Sequence, residues 1–166
     1  SARRQSSDLD YQLNIVNNIY NLNNQEKLFM INKIKIAHKL LKKEKYYLDP
    51  NIIDKISWNI AFIKNDILEN AFPHTRDDII FLSSLDLNQT NEYMIETLIH
   101  EFIHIYQRKF PDVMKKYLKD NEYRFIRTST YKDNIRSNPD IDNKIYELNG
   151  RLMIASYNSL YPTNIN

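Results

Sequence analysis

The chain contains no cysteine. Disulfides and thiolate metal sites are therefore excluded, and any zinc must be held by histidine and carboxylate groups. No apolar run approaches the roughly 20 residues needed to cross a bilayer, and the first residues lack the apolar stretch of a secretory signal. An intracellular protein with no membrane partner is expected. Charge of one sign is also missing. The 23 Lys and Arg nearly balance the 21 Asp and Glu, leaving a formal net charge of +2, which gives no reason to expect a nucleic-acid partner. Glycine occurs once, as Gly150, whereas Asn, Ile, Lys and Tyr are abundant, a usage typical of an AT-rich genome.

What remains is ordinary globular material. At 166 residues, 42% hydrophobic and 12% aromatic, the chain is long enough to bury a core and is read as one domain. Residues 1–8, beginning Ser1-Ala2-Arg3-Arg4, read as a flexible arm or a remnant of cloning, leaving 9–166 as the domain. Helices are expected over 9–22 and 25–46. In the second, Leu28, Ile31, Ile34 or Lys35, His38 and Leu41 recur at helical spacing, and Lys33, Lys35, Lys39, Lys42 and Lys43 form the solvent side. His38 reads as a packed or surface histidine, not a ligand.

Residues 51–68 carry two patterns. Ile52, Ile56, Ile60, Ile63 and Ile67 have helical spacing, while Trp58, Ile60 and Phe62 alternate like a strand. A helix starting at Pro50 is expected for at least the first half. Residues 78–83 are the clearest strand, 112–122 a short helix and 128–143 a polar loop. Lys144–Leu148 and Leu152–Tyr157 flank Asn149-Gly150, a two-residue hairpin signal.

The richest segment is Thr97-Leu-Ile-His-Glu-Phe-Ile-His-Ile-Tyr-Gln107. It contains His100-Glu101-Phe102-Ile103-His104, the pattern H-E-x-x-H. Thr90 is a fair N-cap, and a helix over 90–108 ends before Pro111. On that helix His100 and His104 share one face and can offer two imidazoles to one metal ion. Glu101 falls beside them as a general base for a metal-bound water. Met94, Ile95, Leu98, Ile99, Phe102, Ile103, Ile105 and Tyr106 make the helix apolar over most of its surface, so it is expected to be buried, where ionisable groups need partners.

Catalytic zinc usually takes three protein ligands and leaves a place for water. A metzincin would put histidine six residues after His104, but that position is Phe110. The candidates are therefore carboxylates: Asp140 in an irregular loop stiffened by Pro139, Glu122, Glu147 and Asp142. His74, just ahead of the expected strand, can stabilise an oxyanion or serve as another ligand. Tyr131 or Tyr146 can take the oxyanion role, and Gln107 can support the ligands from one turn beyond His104.

With these residues the chain resembles a zincin. Asn70-Ala71-Phe72, a strand and then His100-Glu101 resemble the layout of thermolysin-like enzymes. A closer resemblance is to H-E-x-x-H proteins of large DNA viruses and environmental microbes. These pair Pro-His-Thr before the motif with Tyr-Gln-Arg after it and Arg-x-Asn-Pro-Asp further on. Here those are Pro73-His74-Thr75, Tyr106-Gln107-Arg108 and Arg136-Ser137-Asn138-Pro139-Asp140, a match over roughly residues 70–160. The resemblance implies a viral or microbial metalloprotease located in the cytoplasm of a host or producing cell, or in a virion. It also raises Asp140 as the third zinc ligand and His74 as a catalytic residue. The expectation is an α+β, zincin-like domain in which N-terminal helices pack on a small sheet and the H-E-x-x-H helix carries the site. It would hydrolyse peptide bonds in a peptide or protein substrate with Zn2+. A non-catalytic zinc-binding or partner-binding module, and a zinc hydrolase of non-peptide amides, are the competing readings.

Overall fold

The computed structural model describes residues 8–45, 48–65, 71–128 and 144–153. The protein is α+β, and the chain packs as two compact units, Ser1–Tyr106 and Gln107–Asn166. Asp140, Asp142, Tyr131, Asn70, residues 1–7 and the far end of the second hairpin strand lie outside the described residues.

In the first unit, helix α1 spans Asp8–Asn17 and helix α2 spans Asn24–Leu41. Both are shorter than expected. After α1 the chain runs extended along a strand, so its backbone groups pair there instead of continuing a helix: Ile19 bridges Ile63 antiparallel, Tyr20 donates to the Phe62 carbonyl at 2.7 Å and Lys64 donates to the Asn18 carbonyl at 2.9 Å. Asn23 then starts α2 through a capping box, accepting from Glu26 N–H while its own N–H reaches the Glu26 carboxylate. The buried stripe of α2 is Met30, Lys33, Ala37 and Leu41, while Leu28 and Ile31 are exposed. The expected stripe thus holds at Leu41, with Ile34 and His38 half-buried, and fails at its start, where Leu28 and Ile31 face outward. α2 carries apolar residues on several sides, and periodicity alone does not choose between them. Lys33, expected on the solvent side, is buried with its ammonium 4.9 Å from the Phe29 ring centre.

Pro50 does open a helix, but α3 is a single turn, Pro50–Ile53. The alternating pattern prevails over the isoleucine spacing: β1 spans Asn59–Ile63. It pairs in parallel with β3 (Ile79–Ser83), which pairs antiparallel with β2 (His74–Arg76), giving the order β1-β3-β2. The sheet has two distinct faces. Ala61, Ile63, Ile79 and Phe81 meet Tyr11 and Ile15 of α1. Side chains alternate along a strand, so Trp58, Ile60, Phe62, Ile80 and Leu82 point the other way. Trp58 there stacks on Phe102, with ring centres 4.5 Å apart.

Phe102 belongs to α4, Asn91–Lys109, the longest helix. Thr90 caps it, its hydroxyl accepting from Tyr93 N–H at 3.2 Å. Ser84–Asn88, a 3-10 helix, links β3 to it. Met94, Leu98, Phe102, Ile105 and Tyr106 have no solvent exposure. The Tyr106 hydroxyl accepts from Asp49 N–H at 3.1 Å and so ties the end of this core to the start of α3.

The second unit holds α5 (Pro111–Asp120) and an antiparallel sheet in the order β4-β5-β6, Arg124–Thr128, Lys144–Leu148 and Arg151–Met153. β4 falls where sequence reading had no strand. Asn149 and Gly150 both adopt positive φ, at 52° and 73°, as a type I′ hairpin turn requires. Phe125, Tyr146 and Met153 share one face by register, and on the other Arg124 pairs with Glu147 at 2.6 Å.

The burial of α4 sets the stability of the first unit. Leu98→Ala should cost about 2–5 kcal/mol through lost burial and an unfilled cavity, whereas Leu28→Ala, at a position 68% exposed, should stay within about 0.5 kcal/mol. Urea unfolding of the two variants checks this. Equal losses would mean that α4 is not the core element.

Candidate metal centre

Helix geometry brings the first two groups together. Four residues advance α4 by about 6 Å and 40°, so His100 and His104 stack along one stripe. Their Nε2 atoms are 3.0 Å apart, with ring centres at 4.7 Å and planes at 85°. At that distance one Nε2–H donates to the other ring's Nε2. A tetrahedral zinc ion with bonds of about 2.05 Å would hold the two nitrogens about 3.3 Å apart. The pair thus needs to open by only a few tenths of an ångström. Glu101 completes the group: ligand atoms of His100, Glu101 and His104 all lie within 4.8 Å of one another. Glu101 is only 5% exposed, whereas His100 is exposed and His104 half-buried. The carboxylate therefore forms the inner wall of the centre and the imidazoles its open side. Two neutral imidazole nitrogens at this spacing suit zinc, and the carboxylate beside them is placed within reach of a metal-bound water.

The stripe continues toward the start of α4. Tyr93 and Thr97 precede Glu101 at intervals of four. The Tyr93 phenol is pushed above its ordinary value, first by burial and then by the negative charge of Asp86. A hydrogen bond with Thr97 opposes the rise, and the charge of Glu101 adds to it. Tyr93 is accordingly a neutral phenol, hydrogen-bonded to Thr97 two turns before the centre. Asp86, buried in the 3-10 helix, is also pushed up by burial, against a hydrogen bond of 2.8 Å from Ser83 N–H. Sequence reading gave no role to Tyr93, Thr97 or Asp86. The i, i+4, i+8 spacing of Tyr93, Thr97 and Glu101 was the available signal.

His74 is placed elsewhere. Register sets it opposite Phe81, on the sheet face that α1 covers, and its ring stacks on Phe81 at 5.3 Å. Nδ1 lies 3.0 Å from the Phe72 carbonyl and Nε2 lies 2.7 Å from the Tyr11 hydroxyl. A carbonyl only accepts, so Nδ1 carries a proton. In the neutral ring Nε2 then accepts from Tyr11. Among the described residues, the side chains that converge to metal-binding distance are His100, Glu101 and His104, without His74. The alternation that hides His74 turns Thr75, also buried, to the opposite face.

Of the proposed third ligands, Asp140 and Asp142 lie outside the described residues, as does the oxyanion candidate Tyr131. Glu122 and Glu147 belong to the second unit. Glu122 follows α5 in a left-handed conformation, φ 63°, and Glu147 is engaged by Arg124. Tyr146, the other oxyanion candidate, sits in β5 between Tyr123 and Phe125, its phenol pushed up by burial. Gln107 follows on α4 one turn beyond His104.

Because His74 is committed to Tyr11 and Phe72, its role is tested by separating stability from metal uptake. Tyr11→Phe should lower stability by about 1 kcal/mol and His74→Ala by about 1–3 kcal/mol. Both variants should titrate with zinc as the wild type does. A tenfold loss of zinc affinity in folded His74→Ala would return His74 to the centre.

No protein-family model, curated protein or solved structure matches the chain.

Proposed function

We propose that this protein is a zinc-dependent peptide-bond hydrolase of the zincin type, with His100 and His104 as ligands and Glu101 as general base. The observation that carries the reading is the convergence on α4: two imidazole nitrogens 3.0 Å apart, with a buried carboxylate within 4.8 Å of both. A helix so apolar has little reason to place three such groups on one stripe unless they act together. Zinc, when bound, polarises the scissile carbonyl and acidifies a water molecule. Glu101 takes the proton of the attacking water on a carboxylate oxygen and delivers it to the leaving amine nitrogen. Its burial keeps bulk water from competing for that proton. Asp140 is proposed as third ligand on the resemblance to the viral and microbial H-E-x-x-H proteins, and a peptide or protein is the proposed substrate.

About one zinc per chain is expected by elemental analysis of protein prepared without chelator. His100→Ala and His104→Ala should each abolish uptake. Metal-free wild type that also takes up no added zinc would sink the reading. Glu101→Gln should retain zinc and lose hydrolysis of a peptide-library substrate by several orders of magnitude, and equal turnover would remove Glu101 from the chemistry. Asp140→Ala should weaken zinc binding by about tenfold or more and Glu122→Ala far less. The reverse order would move the third ligand to Glu122.

A further inference from the structure

We infer that Trp58 is a positioning residue for the α4 centre, clamped between Phe102 on one side and a His38–Asp54 pair on the other. Phe102 stands between Glu101 and His104 in sequence and points away from them into the core, with no solvent exposure. The Trp58 indole stacks on it with ring centres 4.5 Å apart and planes at 30°. That contact buttresses the helix turn that carries the metal-binding groups from behind.

The indole is fixed in turn. Its Nε1 donates to His38 Nδ1 at 3.3 Å, and His38 Nε2 lies 3.0 Å from Asp54 Oδ1. Lys42, one turn after His38 on the same side, donates to the other Asp54 oxygen at 2.6 Å. The protonation of the imidazole follows from its partners. An indole N–H can only donate, so Nδ1 must be bare. The Asp54 carboxylate, ionised beside Lys42, can only accept, so Nε2 carries the hydrogen. His38 therefore holds Trp58 only as the neutral Nε2–H tautomer. A proton added at Nδ1 removes the acceptor, strengthens the pairing with Asp54 and frees the indole edge. Among the described residues, Asp54 and Trp58 meet the nitrogens of this ring and Lys42 lies on Asp54, and none of the three replaces the lost acceptor. The clamp is thus released by acid, and with it the support behind Phe102.

The zinc arm of this inference rests on the metal reading of α4, while the indole arm does not. Trp58 is the only tryptophan, so its emission reports the contact directly, and a protonated imidazole quenches it. Emission of the metal-free protein should fall on acidification, as the bond from Trp58 to His38 Nδ1 is lost. His38→Gln is the informative variant: its amide oxygen can accept from Trp58 and its amide nitrogen can donate to Asp54. It should bind zinc as the wild type does at pH 8 while its emission no longer titrates. His38→Leu, with neither bond, should bind zinc about three- to tenfold more weakly. A flat wild-type emission curve, or an unchanged titration in His38→Gln, would overturn the clamp. Wild-type zinc affinity in folded His38→Leu would overturn its role in positioning the centre. Wild-type protein that takes up no zinc would overturn the metal reading and confine Trp58 to packing, with the emission titration still deciding whether His38 holds it.

Discussion

The first unit depends on one constraint: α4 must be buried along one side while it carries a polar stripe of His100, Glu101 and His104 along another. Met94, Leu98, Phe102, Ile105 and Tyr106 take the buried side with no solvent exposure. That leaves Tyr93, Thr97, His100, Glu101 and His104 for the polar stripe. Neither face can rotate without exposing the apolar groups, so core packing fixes the orientation of the imidazoles. Burial of this kind contributes roughly 1.5–3 kcal/mol for each large apolar side chain. It is the least expensive way to hold polar groups in register without a disulfide, and the chain has no cysteine with which to make one.

The elements around α4 are secured at points where polar backbone or side chains would otherwise be stranded. The Tyr106 hydroxyl accepts from Asp49 N–H, and Asp49 also caps α3 by accepting from Asn51 N–H. Ser83 and Asp86 cap the 3-10 helix that delivers the chain to α4, at the cost of a buried carboxylate whose ionisation is resisted. Tyr11 and His74 perform a similar task on the opposite sheet face.

The parts legible in the sequence are those governed by local period. The α4 boundaries, the Asn149-Gly150 turn and the juxtaposition of His100 with His104 all follow from spacing within a few residues. What was not legible depends on partners distant in the chain. β2 is three residues, His-Thr-Arg, too short and with too little apolar alternation to announce it, and it exists because β3 lies beside it. The side on which His74 falls is decided by pairing with Phe81, and a register one residue different would have turned it toward α4. In α2 the choice between the Leu28 and Met30 faces rests on what packs against the helix. Trp58 carried both a helical and a strand pattern around it, and its contact with Phe102 decided for the strand.

The bridge between Ile19 and Ile63 has a further consequence. In the order β1-β3-β2, the segment 18–20 occupies the outer side of β1 with the chain's own backbone. Lateral growth of this sheet by recruitment of a foreign strand is thereby confined to the β2 side. That side offers only three residues, one of them charged, too short and too polar a template to seed intermolecular β-structure. A sheet core as rich in isoleucine, leucine and phenylalanine as this one would otherwise be a hazard at high concentration. The cost of the protection falls on α1, which must end at Asn17 so that the next residues are free to lie along the strand.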